Sequence, residues 1–60
     1  NMATPLEVYD SICESIQKSI DRLNNDDIDL TEEQVGDIVK RIGRLNKQLE
    51  EYSKRYLSNR

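Results

Sequence analysis

Apolar residues recur with helical spacing in two segments of this chain, and a polar stretch separates the segments. In the first segment they lie three or four residues apart, as on one face of an amphipathic helix. They are Tyr9, Ile12, Cys13, Ile16, Ile20 and Leu23. Thr4 suits an N-cap, Pro5 a first helical residue, and Glu7 the third position of a capping box. The pattern predicts a first helix over about residues 5–24.

The second segment follows a heptad repeat. Its a positions are Val35, Ile42, Leu49 and Tyr56, and its d positions are Ile38, Leu45 and Tyr52. Thr31 and Gln34 repeat the capping-box signal at its start. Asn and Asp dominate the stretch before Thr31, and their side chains favour turns. We expect a turn over residues 25–31 and a second helix over about residues 32–57.

A short turn between two helices predicts an all-α fold, an antiparallel two-helix hairpin packed like a coiled coil. Counting outward from the turn sets Ile16 near Ile42 and Tyr9 near Leu49. The hairpin domain is expected to cover residues 4–57. Residues 1–3 are expected to be a tag remnant, Asn1, followed by an N-terminal tail, and residues 58–60 a frayed C-terminus.

Two helices cannot enclose apolar stripes of this width, because each stripe keeps one flank in water. Two hairpins that pair into a four-helix bundle close the core, and two-fold dimers are the commonest such assembly. The residues expected in the core or in self-association are Tyr9, Ile12, Ile16, Ile20, Leu23, Val35, Ile38, Ile42, Leu45, Leu49, Tyr52 and Tyr56. The sequence therefore predicts a homodimer. Tyr52, Tyr56 and Leu57 are alternatively anchors for a different partner protein.

Two glycines interrupt the second helix, although each is less favourable there than alanine by about 1 kcal/mol. Gly36 and Gly43 both occupy heptad position b, with Val39 between them and Asn46 after them. Because the two glycines on either side of Val39 have no side chains, we expect a shallow trough along the helix that could form a second interface. The alternative is that both glycines are merely tolerated on an exposed surface.

The charges change the picture only locally, since the net charge is −3. The acidic residues of the turn lack the spacing of a calcium loop and are read as a solvated surface. Lys40, Arg44, Lys47 and Lys54 form a basic stripe on the second helix, a candidate site for a polyanion. The alternative is a salt-bridged solvent face. Its ion pairs would join residues 37 and 41, 47 and 51, and 50 and 54.

Missing residue types exclude most catalytic chemistry. The chain has no histidine and a single cysteine, Cys13, so Ser-His and Cys-His nucleophile pairs and an internal disulfide are excluded. We expect no enzymatic activity, no cofactor, no metal ion and a buried, inert thiol. No apolar run is long enough to span a membrane. The chain is expected in the reducing environment of the cytoplasm, without a membrane partner.

The segment YDSICESIQKSIDRLNNDDIDL resembles the first helix and turn of the small subunit of exonuclease VII, another helical hairpin of similar size. Its apolar positions, from Tyr9 to Leu30, are comparable with those of that family. Asp26 stands where the family carries a glycine in the turn, and Thr31 is an additional residue. The resemblance implies an accessory subunit of a larger enzyme complex, and it implies no functional residue here.

Three hypotheses for function follow. The first is a non-enzymatic protein–protein interaction module that acts as a homodimer on another protein, as a regulator, adaptor or inhibitor, including one encoded by a virus. The second is an accessory subunit of an enzyme complex, similar to the exonuclease VII small subunit. The third, less favoured because the sequence pI is about 4.8, is a nucleic-acid-binding dimer that uses the basic stripe.

Overall fold

The computed structural model describes residues 2–58, which form two α-helices and one π-helical turn. Helix α1 covers Pro5–Leu23, helix α2 covers Glu32–Tyr52, and the π turn covers Ser53–Leu57. α1 packs along α2 and also contacts the π turn. Residues 2–58 contain no strand, so the predicted all-α hairpin is confirmed. The predicted tag residue at position 1 and two positions of the C-terminus that is predicted to fray, 59 and 60, lie outside the described residues.

Both helices begin at complete capping boxes, as the sequence predicts. Thr4 Oγ1 accepts the Glu7 backbone N–H at 3.2 Å, and Glu7 Oε1 accepts the Thr4 backbone N–H at 2.8 Å. At α2, Thr31 Oγ1 accepts the Gln34 N–H at 3.1 Å, and Gln34 Oε1 accepts the Thr31 N–H at 2.9 Å. These bonds satisfy backbone donors that no helical carbonyl can reach, and they fix where each helix starts.

One cap is sensitive to acid and the other is not. The Thr4 backbone N–H and hydroxyl both donate to the Glu7 carboxylate, so they lower the pKa of Glu7 below its ordinary value of 4.5. Because the folded-state pKa is lowered, ionised Glu7 stabilises the fold at pH values above its ordinary pKa. This stabilisation is lost as the pH falls through the lowered pKa. We therefore expect acid to loosen the cap of α1, while the capping bonds of the Gln34 amide at α2 persist.

The measurement is the pH dependence of the Thr4 and Thr31 amide proton shifts by NMR. The Thr4 shift should titrate with a midpoint below 4.5, and the Thr31 shift should move much less, because its acceptor is an amide. Glu7→Gln copies the α2 cap and should remove the Thr4 titration while keeping α1 intact. A Thr4 midpoint at or above the ordinary value would contradict the cap geometry.

The turn between the helices is closed by short polar contacts. Asn24 caps α1 with φ −95° and ψ 3°, and its backbone N–H donates to the Ile20 carbonyl at 3.0 Å. Asn25 Oδ1 then accepts the Asp27 N–H at 2.9 Å, a local bond typical of Asn in turns. The Asn25 N–H donates to the Arg22 carbonyl at 3.4 Å, so asparagine residues close the turn without glycine.

The π turn interrupts the heptad repeat. The sequence predicts α-helix to about residue 57, whereas α2 ends at Tyr52 and the next five residues are π-helical. A π turn holds more residues than an α turn, so it advances every later side chain out of the heptad phase. Tyr56, expected at an a position, is 52% exposed, and Leu57 is half-buried beyond it.

No apolar side chain among residues 2–58 is fully buried. The one buried residue in this range is Ser19, which is 8% exposed. Most predicted core residues are half-buried, and two of them are exposed, Val35 at 38% and Tyr56 at 52%. The hairpin is elongated, measuring 43 × 21 × 17 Å, so its apolar residues line a contact between two helices without forming an interior.

Candidate interaction surfaces

An open apolar face runs along one flank of the hairpin. On α1, spacings of three, four and seven residues place four apolar side chains on this flank. On α2, spacings of four and seven residues place four further residues together. The face consists of Leu6, Tyr9, Cys13 and Ile20 from α1 and of Val35, Val39, Asn46 and Leu49 from α2. Leu6 is 58% exposed and Val39 is 54% exposed, so their side chains lack cover within the hairpin.

A surface cavity of about 500 Å³ joins the two helices on this face. Tyr9 of α1 and Leu49 of α2 both line it, which agrees with the predicted pairing of these residues. Asn46, Glu50, Ser53 and Lys54 form the rest of its lining. The cavity therefore shows that the exposed flank of α1 and the exposed flank of α2 lie on the same side of the hairpin.

The predicted trough on α2 is open. A Cβ atom built at Gly36 or at Gly43 meets no atom within 4 Å outside its local helix. Val39 stands exposed between the two glycines, and Asn46 is exposed beyond them. Packing inside one hairpin therefore does not require either glycine, and the trough borders the open apolar face.

The residues of the basic stripe are all exposed, and they do not all border the same cavity. Arg44 and Lys47 line the same cavity, whereas Lys54 lines the cavity on the open apolar face. Lys40 is exposed and lines none of the cavities described here. Spacings of four and three residues place Lys40, Arg44 and Lys47 on one exposed side of α2, and Lys54 follows in the π turn.

The charged face of α2 is exposed as predicted, but its predicted ion pairs do not form. None of the expected pairs on α2 closes to 4.0 Å, and the one ion pair in the part of the chain that the structure describes joins Lys18 to Glu14 at 4.0 Å. All of these side chains are exposed, and an exposed pair gains little energy against the entropy of its long side chains. The cations of α2 are therefore available to other groups.

Ser19 is the site residue that the periodicity analysis missed. Its Oγ donates to the Ser15 carbonyl at 3.0 Å, and both serines line a cavity with Ile38 of α2. Small side chains four residues apart let a second helix approach closely, which is why a serine is more buried here than any isoleucine. The sequence held this signal, since Ser15 and Ser19 flank the stripe of Ile12 and Ile16.

Aromatic residues gather at the C-terminal end of α2. The rings of Tyr52 and Tyr56 lie 4.6 Å apart between centroids at an interplanar angle of 40°, and the Arg55 guanidinium lies 5.9 Å from the Tyr56 centroid. These distances suit aromatic and cation–π contacts. The cluster is half-exposed, so it can contribute to a contact with another molecule.

Residues 2–58 hold no group of three or more His, Cys, Asp or Glu side chains arranged for a metal ion. Cys13 is a free, half-buried thiol, less buried than the sequence predicts. Over the same range, no helix is both long and apolar enough to cross a membrane.

Comparisons with protein-family models, with curated proteins and with solved structures found no match to this chain.

Proposed function

We propose that the chain is a non-enzymatic protein–protein interaction module that acts as a homodimer, in which two hairpins close through the open apolar face into a four-helix bundle. The observation that carries this proposal is the missing interior of one hairpin: no apolar side chain in residues 2–58 is fully buried. A chain this small has little other means of stabilisation, since Cys13 is unpaired and the described residues lack a metal cluster.

The surface area supports the same proposal. One hairpin exposes 5101 Å². A compact monomer of 7.0 kDa is expected to expose only about 4000 Å². The excess is close to the roughly 800 Å² per partner that a standard protein–protein interface covers. A second hairpin on the open apolar face would remove an area of this size from water.

The chemistry of the face favours a second copy as its occupant. The face offers an apolar contact through the exposed side chains of Leu6, Val35 and Val39 and the half-buried side chains of Tyr9 and Leu49. A two-fold axis would place the same face of each copy against the other, which needs no further partner to complete the bundle. The bundle would act by covering a surface of another protein, in a reducing compartment that keeps Cys13 free.

The test is the molar mass in solution, measured by light scattering during size-exclusion chromatography at micromolar concentration. We expect about 14 kDa, twice the 7.0 kDa of one chain, with a helical circular dichroism spectrum. A folded monomer at this concentration would contradict the proposal. An unfolded monomer would also contradict it and would favour the alternative, an accessory subunit that folds only within a larger complex.

A further inference from the structure

A continuous groove lies on the flank of the hairpin opposite the open apolar face. Three cavities of about 470, 410 and 490 Å³ make up this groove. Arg41 lines the first and second cavities, and Gln48 and Glu51 line the second and third, so the three adjoin. At about 100° per residue, Arg41 and Asn46 point about 140° apart around α2, which separates this groove from the open apolar face.

The rim of the groove is cationic. It draws positive side chains from both helices and from the π turn: Lys18, Arg22, Arg41, Arg44, Lys47 and Arg55. The one carboxylate in its lining is Glu51. Of the six cations, only Lys18 forms an ion pair within residues 2–58. A chain of net charge −3 has therefore concentrated most of its nine Lys and Arg residues on one flank.

The floor of the groove is apolar and repeats at regular intervals. Ile38 lines the first cavity, Leu45 the second and Tyr52 the third, and all three are half-buried. They are seven residues apart, so successive floor residues lie about 10 Å apart along α2. The groove thus offers three apolar contacts in register, each beneath cationic side chains.

We propose that this cationic groove binds an acidic amphipathic helix of a partner protein. Apolar side chains of that helix, spaced seven residues apart, contact Ile38, Leu45 and Tyr52, while flanking carboxylates pair with the cations of the rim. The charge of the rim selects an anionic partner. The apolar floor selects a protein helix over a nucleic acid, because a phosphate backbone carries no apolar group to cover it.

The inference rests on the proposed interaction function, since it names the class of partner, but it does not require a dimer. The groove and the open apolar face occupy opposite flanks, so a hairpin can use both at once. Their tests are correspondingly separate, because one measures mass and the other measures binding.

The probe is a fluorescent helical peptide with leucine at heptad a and d positions and glutamate on both flanks. The control peptide carries lysine in place of each glutamate. Fluorescence anisotropy with the full chain should show binding of the glutamate peptide alone, and the affinity should fall as salt rises. Equal binding of both peptides, or binding of neither, would overturn the proposal.

The variant that tests the rim is Arg41→Glu combined with Arg44→Glu. We expect it to weaken binding of the glutamate peptide by about a hundredfold or more. The matched control is Lys40→Glu combined with Lys54→Glu, which changes the net charge equally at two cations outside the groove. An equal loss in both variants would show that net charge, not the groove, attracts the peptide. Arg41→Gln with Arg44→Gln repeats the test should the glutamates disturb folding.

Two further outcomes complete the design. A single-stranded RNA probe that binds more tightly than the glutamate peptide, and that loses binding in the Arg41 and Arg44 variant, would replace the acidic helix with a nucleic acid. A chain that has the mass of a dimer but does not bind the glutamate peptide would overturn only the proposal for the groove. A folded monomer that still binds the peptide would overturn the proposed dimer and support the proposed binding groove.

Discussion

Replacing Val39 with aspartate is expected to abolish self-association and to leave the helices formed. Val39 is 54% exposed in one hairpin, so the new carboxylate stays in water as long as the hairpin is alone. In the proposed bundle the same carboxylate would be buried without a partner, which costs about 3 kcal/mol or more and raises the dissociation constant by more than about a hundredfold. Sedimentation equilibrium at several concentrations measures this change.

The matched control is Gln48→Asp, which introduces the same charge into the same helix on the opposite flank. It should leave the dissociation constant close to that of the unmodified chain. Gly43→Leu separates the trough from the rest of the face: helix content should hold or rise, because leucine favours helix over glycine by about 1 kcal/mol. If Gly43→Leu weakens association while helix content holds or rises, the trough lies in the dimer interface. Undiminished association of Val39→Asp would contradict the proposed dimer.

Replacing Ser19 with leucine is expected to produce the second large effect, a loss of about 1 to 3 kcal/mol in the free energy of unfolding. Ser19 is the one buried residue in residues 2–58, and it lies where α1 approaches Ile38 of α2. A leucine places three carbon atoms where serine has one oxygen, and the atoms that do not fit into the adjoining cavity push the helices apart. Because the whole hairpin has only a few kcal/mol to lose, the thermal midpoint should fall by many degrees.

Ser19→Ala is the control for this prediction. It removes the bond from Ser19 Oγ to the Ser15 carbonyl at 3.0 Å but keeps the side chain small. Alanine is also the better helix former, so the free energy of unfolding should change by less than about 0.5 kcal/mol. Urea unfolding of all variants at one fixed protein concentration gives the comparison, since self-association makes stability depend on concentration. Equal stability of the leucine and alanine variants would mean that the helices do not approach closely at Ser19.

The starts of both helices could be predicted from sequence because short-range chemistry determines them. A threonine followed three residues later by Glu7 or Gln34 carries all the donors and acceptors that a capping box needs. The predicted pairing of Tyr9 with Leu49 also agrees with the structure, since it follows from a short turn and a constant rise per residue. Local rules therefore led to the correct hairpin.

The surfaces depended on information that periodicity does not contain. A helical wheel sums apolar residues and so centres the contact on the isoleucines, whereas the structure places Ser19 deepest, because small size decides how near α2 can come. The same counting assigned Lys40, Arg44, Lys47 and Lys54 to one stripe of α2. It could not show that Lys18 and Arg22 of α1 approach Arg41, since that neighbourhood exists only after the helices pack.

The end of α2 could not be predicted from the heptad repeat. Heptad counting assumes a constant number of residues per turn, and the π turn at Ser53–Leu57 violates that assumption. No single residue type in this segment predicts a π turn. The contact of the turn with α1 is visible only in the folded hairpin.

The π turn also has a consequence for how two hairpins can align. A perfect heptad repeat is ambiguous, because sliding one helix by seven residues along its neighbour restores the same pattern of contacts. Here the pattern ends at Tyr52, and beyond it Tyr56 and Leu57 no longer repeat its phase. A hairpin displaced by seven residues in that direction would meet side chains that do not match its own. In the proposed dimer, the π turn would therefore exclude that displaced alignment.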